Sequence, residues 1–429
     1  MSAFLVLQAA RFGDLVQSKR LIRTLEQRGR VHLGVDAGLV PLARLLYPAA
    51  EVHGLRLHGR PDAAVLLENR AVFRQWRTMD FQAVYNCNFA GLTAAICRLF
   101  EAERVMGYRP ARTAAGGITR SSWARLAFRL SERRAFSPLN LVDFWAHFAP
   151  APLAAELVNP PAKPGGQGLG VVLAGRESRR SLPLPLLGKM LQTLFSLLDG
   201  PRIRLLGTAA EQPAARKLLR LLPAKVQEKV EDLSGKTDWP GLVHAVEGLD
   251  ALVTPDTGIM HLGAHLGVPV LAFFLSSAWC HETGPYGRGH WVWQASRACA
   301  PCLESAACPY QVACLDALHG EGFLRSLAAA VRPEARITAA PPDGLQVWRS
   351  DLDALGGVLR LHGGHDEYAR QRTVTRALLA DTLHLWEVDA QNGNALSTAL
   401  DVAEHAELAD LRDWLYKDTD WMLPPGRYC

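Results

Sequence analysis

At 429 residues, with 49% hydrophobic and 21% charged content, the chain is a globular protein too long for one ordinary core, so two domains and an appendage are expected. The formal charge of +5 suits acidic partners such as a nucleotide diphosphate, a phosphorylated sugar or an anionic membrane surface. No zinc-finger spacing, RNA-binding signature or long basic arm is present, which argues against nucleic acid; eight cysteines at this length exclude a disulfide-dense secreted scaffold.

No apolar run reaches the roughly 18 residues that a membrane span needs. Met1 to Gln8 lacks the basic segment and cleavage site of a signal peptide, so a cytoplasmic location is expected. Phe4 to Gln8 then reads as a buried strand, Ala9 to Asp14 as the turn after it, and Leu15 to Gln27 as an amphipathic helix. This unit has no G-x-G-x-x-G, which argues against a nicotinamide cofactor. Val31 to Val35 and Ala83 to Cys87 are further strand-like runs, and Arg104 to Tyr108 with the arginine-rich stretch up to Arg134 completes a first α/β half. His147 to Gly168, rich in Pro, Ala and Gly, is the predicted linker.

Leu169 to Leu173 opens a second α/β half, followed by a polar loop from Ala174 to Ser181 and a helix from Leu184 to Leu198. The strand Arg202 to Leu206, the loop Gly207 to Glu211 and the helix Ala214 to Leu222 come next. Leu249 to Val253 is an apolar run that empties into Pro255-Asp256-Thr257-Gly258, where a short helix begins, and Pro269 to Leu275 is the following strand. In an open parallel sheet ligands sit at the carboxyl ends of strands, where helix amino termini offer N–H groups to phosphate. Thr257 supplies a hydroxyl, Gly258 a close backbone approach, Asp256 an acceptor for a ribose hydroxyl or a cap, and His261 a donor one turn on. Beyond Pro333, the segments Asp343–Arg360, Asp366–Val388 and Ser397–Lys417 are predicted as helices, with Ser397 as an N-cap. The expected division is residues 1–160, 165–332 and a mainly helical extension over 333–429.

The ordered series Arg11, Gly13, Asp14, then Asp232-Leu233-Ser234-Gly235-Lys236-Thr237-Asp238, Asp256-Thr257-Gly258, His261 and Thr283-Gly284-Pro285-Tyr286-Gly287 resembles glycosyltransferase family 9, the heptosyltransferases. The resemblance implies the GT-B fold: two Rossmann-like α/β domains facing across a cleft, here with a helical C-terminal extension. It implies an inverting, metal-independent transfer of heptose from an ADP-activated donor to a lipopolysaccharide inner-core acceptor, a lipid-linked oligosaccharide, at the cytoplasmic face of the inner membrane. From the residues alone, Asp14 reads as a helix cap ahead of a catalytic base; the resemblance makes it the base.

For the donor, Arg176, Arg179 and Arg180 form an anion-binding loop, with Arg180 near the position of the family's lysine. Glu211 matches the acid that meets the nucleoside, and Asp256, Thr257, Gly258 and His261 complete the cradle. Arg11, Gly13, Lys19 and Arg20 are the acceptor-side candidates; Lys19-Arg20 replaces the family's Leu-Pro and otherwise reads as a solvated helix face. His261 and His265 are spaced i, i+4, but no glutamate sits beside His261 as in H-E-x-x-H, so His265 is read as incidental. Cys299, Cys302, Cys308 and Cys314 lie in one loop; reduced packing thiols, a structural zinc and a disulfide rank in that order. No cofactor is expected for catalysis. The alternatives are a transferase for another sugar or acceptor, and a non-catalytic nucleotide-sugar-binding protein.

Overall fold

The apolar run near the start becomes β1 (Ala3–Gln8), whose residues 4–8 are buried on both faces as a central parallel strand requires. Around it stand β2 (Arg30–Asp36), β3 (Glu51–Leu55), β4 (Phe81–Asn86), β5 (Val105–Pro110) and β6 (Ile118–Arg120). Their spatial order is β3-β2-β1-β4-β5-β6, parallel except for the antiparallel pair β5 and β6. This is a computed structural model, and it describes residues 2–57, 63–111, 117–174, 178–303, 306–332 and 341–383.

The helix expected over 15–27 begins earlier and is broken in two, Phe12–Gln17 and Lys19–Glu26. The break falls at Ser18, whose hydroxyl donates to the Asp14 carbonyl at 2.9 Å and accepts from Gln8 Nε2 at 2.8 Å. A serine that bonds back one turn bends a helix, and here the same hydroxyl ties the bend to the end of β1.

The second sheet holds β7 (Leu169–Val172), β8 (Ile203–Leu206), β9 (Val230–Asp232), β10 (Ala251–Pro255), β11 (Val270–Phe274) and β12 (Trp291–Ala295). These six run parallel, and β10 lies between β7 and β11, so the Gly258–His265 helix starts at the carboxyl edge of the sheet. The two mixed α/β sheets give the GT-B arrangement of paired Rossmann-like halves.

One element of the extension differs from expectation. Residues 343–360, predicted as a helix, contain β13 (Leu345–Leu352) and the start of β14 (Gly357–Gly363), an antiparallel hairpin that continues the second sheet beyond β12. The Asp353 carboxylate accepts the N–H groups of Leu355 and Gly356, and Gly356 takes φ +138°, a turn that only glycine enters easily. The helix Ala369–Thr382, within the expected Asp366–Val388, crosses back to the first half, where Leu378 and Leu379 join its core. Arg376 Nη1 donates to the Pro138 carbonyl at 3.0 Å and Arg372 to that of Ala135. The chain thus threads first half, second half, hairpin, and first half again. Arg176 and the helix expected over 397–417 lie outside the described residues.

Candidate functional site between two helix amino termini

The Gly258–His265 helix is N-capped by Thr257, whose hydroxyl accepts from the Met260 N–H and sits 3.1 Å from the Thr254 hydroxyl. Opposite, the Phe12–Gln17 helix of the first half presents its own amino end. The two touch: a Cβ added at Gly13 would lie 3.3 Å from His261 Cδ2 and 3.4 Å from Gly258 Cα. A Cβ added at Gly258 would lie 2.3 Å from the Phe12 ring, so glycine at 258 is required by this close approach. Phe12 in turn packs on Trp239, ring centroids 5.2 Å apart, and the Trp239 indole N–H donates to the Gly38 carbonyl at 2.9 Å. Asp14, next to Gly13, accepts the Arg11 backbone N–H at 3.1 Å. The N-cap is Arg11 rather than Asp14; Asp14 is the third residue of the helix and completes a capping box, at the point where the two halves meet.

Asp256 is the electrostatic centre of the second half. Its Oδ2 lies 2.5 Å from Arg180 Nη2 and accepts the Thr283 hydroxyl at 3.2 Å; Oδ1 is 4.0 Å from His261 Nε2. Burial pushes the Asp256 carboxyl up to about 6, while Arg180 and the Thr283 hydrogen bond pull it back. Burial lowers His261 to about 3, so its imidazole is neutral at physiological pH. Arg134 from the first half pairs with Glu282 at 2.7 Å and donates to the Ser277 carbonyl at 3.0 Å, bringing a second cation toward Asp256. Arg134 and Glu282 were not singled out from the sequence. They stand 148 positions apart, so no local spacing announces the pair.

Other expected residues are placed differently. Arg179 points to the cysteine loop, donating to the carbonyls of Ala306 at 2.6 Å and Leu303 at 3.1 Å. Glu211 accepts the N–H and hydroxyl of Thr208 at 2.7 and 2.6 Å, a capping box at the start of the helix that follows β8.

The reading of Lys19 and Arg20 as an exposed or acceptor-facing pair is corrected: both are buried. Lys19 Nζ donates to Asn159 Oδ1 at 2.9 Å and to the His265 carbonyl at 3.4 Å, and burial lowers its pKa to about 7. Beside it, Val16, Val142, Asn159, His261 and Tyr286 line a cavity of about 10 Å³, room for one water. Arg20 pairs with Asp143 at 2.6 Å and donates to the carbonyls of Leu153 and Leu355, while Tyr286 and the Gly357 N–H also serve Asp143. These cations fasten the halves together; a buried charge is kept only where such partners surround it.

His265 stacks edge-on against Tyr47, and burial keeps its imidazole neutral. The cysteines at 299, 302, 308 and 314 are free thiols; Cys302 Sγ lies 3.1 Å from the Ser276 hydroxyl and Cys308 Sγ accepts the Val312 N–H at 3.4 Å. Among the described residues these four do not converge as a metal site would require.

The sequence profile of glycosyltransferase family 9 (heptosyltransferase) matches residues 196–311, which hold Glu211, the capped glycine helix, and Arg134's partner Glu282. The resemblance is to glycosyltransferase family 9. Lipooligosaccharide heptosyltransferase 2 of Haemophilus influenzae is 30% identical over 76 residues, 18% of this chain and 22% of that protein. Lipopolysaccharide heptosyltransferase 2 of Escherichia coli K12 matches to the same extent, so the match spans about a fifth of these relatives' length. In fold, a family 9 glycosyl transferase from Veillonella parvula superposes with a TM-score of 0.51 at 14% identity, over 66% of this chain and 83% of that one. An E. coli heptosyltransferase solved with ADP gives 0.50 at 18% identity, over 66% and 91%. Each superposition covers 66% of the chain, a longer stretch than the residues 196–311 that the sequence profile matches.

Proposed function

We propose that the chain is an inverting, metal-independent glycosyltransferase that moves a heptose from an ADP-activated donor to an inner-core lipopolysaccharide acceptor. The supporting observation is the abutment of two helix amino termini, one carrying the Asp14 carboxylate and the other the Thr257–Gly258 donor group. Asp14 takes the proton of the acceptor hydroxyl as that oxygen attacks the anomeric carbon and the bond to the diphosphate breaks. The positive end of the helix dipole attracts the negative charge of a base placed there.

The departing diphosphate carries its charge to the amino end of the Gly258–His265 helix, the Thr257 hydroxyl and Arg180, with Arg176 as a further cation. Neutral His261 donates a hydrogen bond without adding charge. Asp256 holds Arg180 in position and, with Glu211, orients the nucleoside end. On the acceptor side Arg11 and Gly13 remain, since Lys19 and Arg20 are enclosed. No helix among the described residues is long and apolar enough to cross a membrane. In this reading the lipid-linked acceptor is met at the cytoplasmic face of the inner membrane.

Calorimetry with ADP, UDP and GDP, followed by mass spectrometry of a heptose-deficient core glycolipid incubated with ADP-heptose, tests this reading. Selective ADP binding and a mass gain of one heptose are expected. Binding without transfer to any core acceptor would replace the enzyme with a nucleotide-sugar-binding protein.

A further inference from the structure

Away from the cleft, the outer strand pair of the first sheet carries three potential ligands on one face. In the parallel register of β2 and β3, His32 stands beside Glu51 and Gly34 beside His53, so Glu51 and His53, two apart, share a face. His32 Nδ1 lies 3.1 Å from His53 Nε2; Glu51 Oε2 lies 3.5 Å from the former and Glu51 Oε1 3.6 Å from the latter. We propose that His32, Glu51 and His53 bind a divalent transition-metal ion of the zinc class, which pins the edge strand β3 to β2.

The separations argue for it. Zinc bonds of about 2.0–2.1 Å to nitrogen and oxygen give a tetrahedron whose edges are about 3.3 Å, since an edge is roughly 1.6 bond lengths. The N···N separation of 3.1 Å and the N···O separations of 3.5 and 3.6 Å, one to each Glu51 oxygen, lie on either side of that value, so a small rotation of the carboxylate brings one oxygen to both nitrogens. The side chains are held in place beforehand. The Phe81 ring meets His32 edge-on, the Trp76 ring meets His53 edge-on, and Gln75 Nε2 donates to Glu51 Oε1 at 3.3 Å. The histidines are buried at 2% and 7% exposure, while the Glu51 side chain is 43% exposed and gives the ion a route in from solvent. Three protein ligands leave a fourth position for water. The competing account is a plain hydrogen bond between two neutral imidazoles with Glu51 solvated beside it.

The test compares the full chain with Glu51→Gln and, separately, His53→Gln, each first shown to retain wild-type circular dichroism and ADP affinity. Metal-stripped proteins are titrated with Co²⁺, read by visible absorption, and with Zn²⁺, read by melting temperature. The wild type is expected to take up one ion more than either variant and to melt higher with Zn²⁺. That ion should give d–d bands without thiolate charge transfer, and Glu51→Gln should lower its affinity at least ~10-fold. Equal uptake and equal thermal response in all three proteins would overturn the proposal. So would cobalt spectra showing thiolate ligation alone, since the cysteine loop would then hold all the metal.

Discussion

Asp256 and Arg180 meet in a pocket where each side chain keeps about a tenth of its surface exposed (10% and 12%), so neither is free to trade its partner for water. Removing the cation withdraws the main influence holding the Asp256 carboxyl down at about 6. Arg180→Met is therefore expected to raise it further and to weaken ADP binding at neutral pH. In the wild type, ADP affinity should fall as pH drops through about 6, where Asp256 loses its charge. Calorimetry between pH 5 and 8 reads both effects; a flat profile would remove Asp256 from the donor site. Thr257, Gly258 and Asp256 were legible because a strand end, a cap and a glycine lie within four residues of one another. Lys19 and Arg20 were not. Their partners Asn159 and Asp143 lie 140 and 123 positions away, and a basic pair on a helix looks solvated until those groups are known to cover it.

At the scale of elements, the hairpin and the returning helix give the extension its role. Arg376 forms a close ion pair with Asp353 in the hairpin turn and also donates to Pro138 of the first half. Asp353→Ala would leave that guanidinium buried with one charge partner missing. Breaking such a pair costs about 3–5 kcal/mol, so the melting temperature should drop well below that of Asp351→Ala, a change at an exposed ion pair. Equal melting of the two variants would show that the turn is not the clasp described. The parallel strands were readable because burial on both faces makes them continuous apolar runs. The hairpin is hidden because β13 carries Gln346, Arg349, Ser350 and Asp351 among its apolar residues, and its turn signal, Asp353 to Gly356, falls within the stretch expected to be a helix. Likewise, the break at Ser18 depends on a hydrogen bond to Gln8 that no helical periodicity encodes.

For the whole molecule, burial lowers His147 and His261 to about 3 and His290 to about 4, and places His265 and His281 well below their ordinary value. Each binds a proton more readily unfolded than folded. Their contribution is therefore full above about pH 6.5 and is lost as pH falls toward the folded values, at up to ~1.4 kcal/mol per pH unit for each. Asp256, raised by burial, acts in the opposite sense between about pH 4 and 6, and the raised carboxyls of Asp143 and Glu26 act with it, three groups against these five. Urea unfolding should thus show stability falling steeply from pH 6.5 to 4.5; a flat curve would mean that these imidazoles are not enclosed. The same meeting of halves that buries His261 sets Asp14 beside the glycine helix, and on that meeting the functional account rests. The most direct test is heptose transfer by Asp14→Asn measured alongside its ADP affinity. The account predicts that turnover falls by ~100-fold or more while ADP binds nearly as tightly as before. Undiminished turnover in the variant would contradict it.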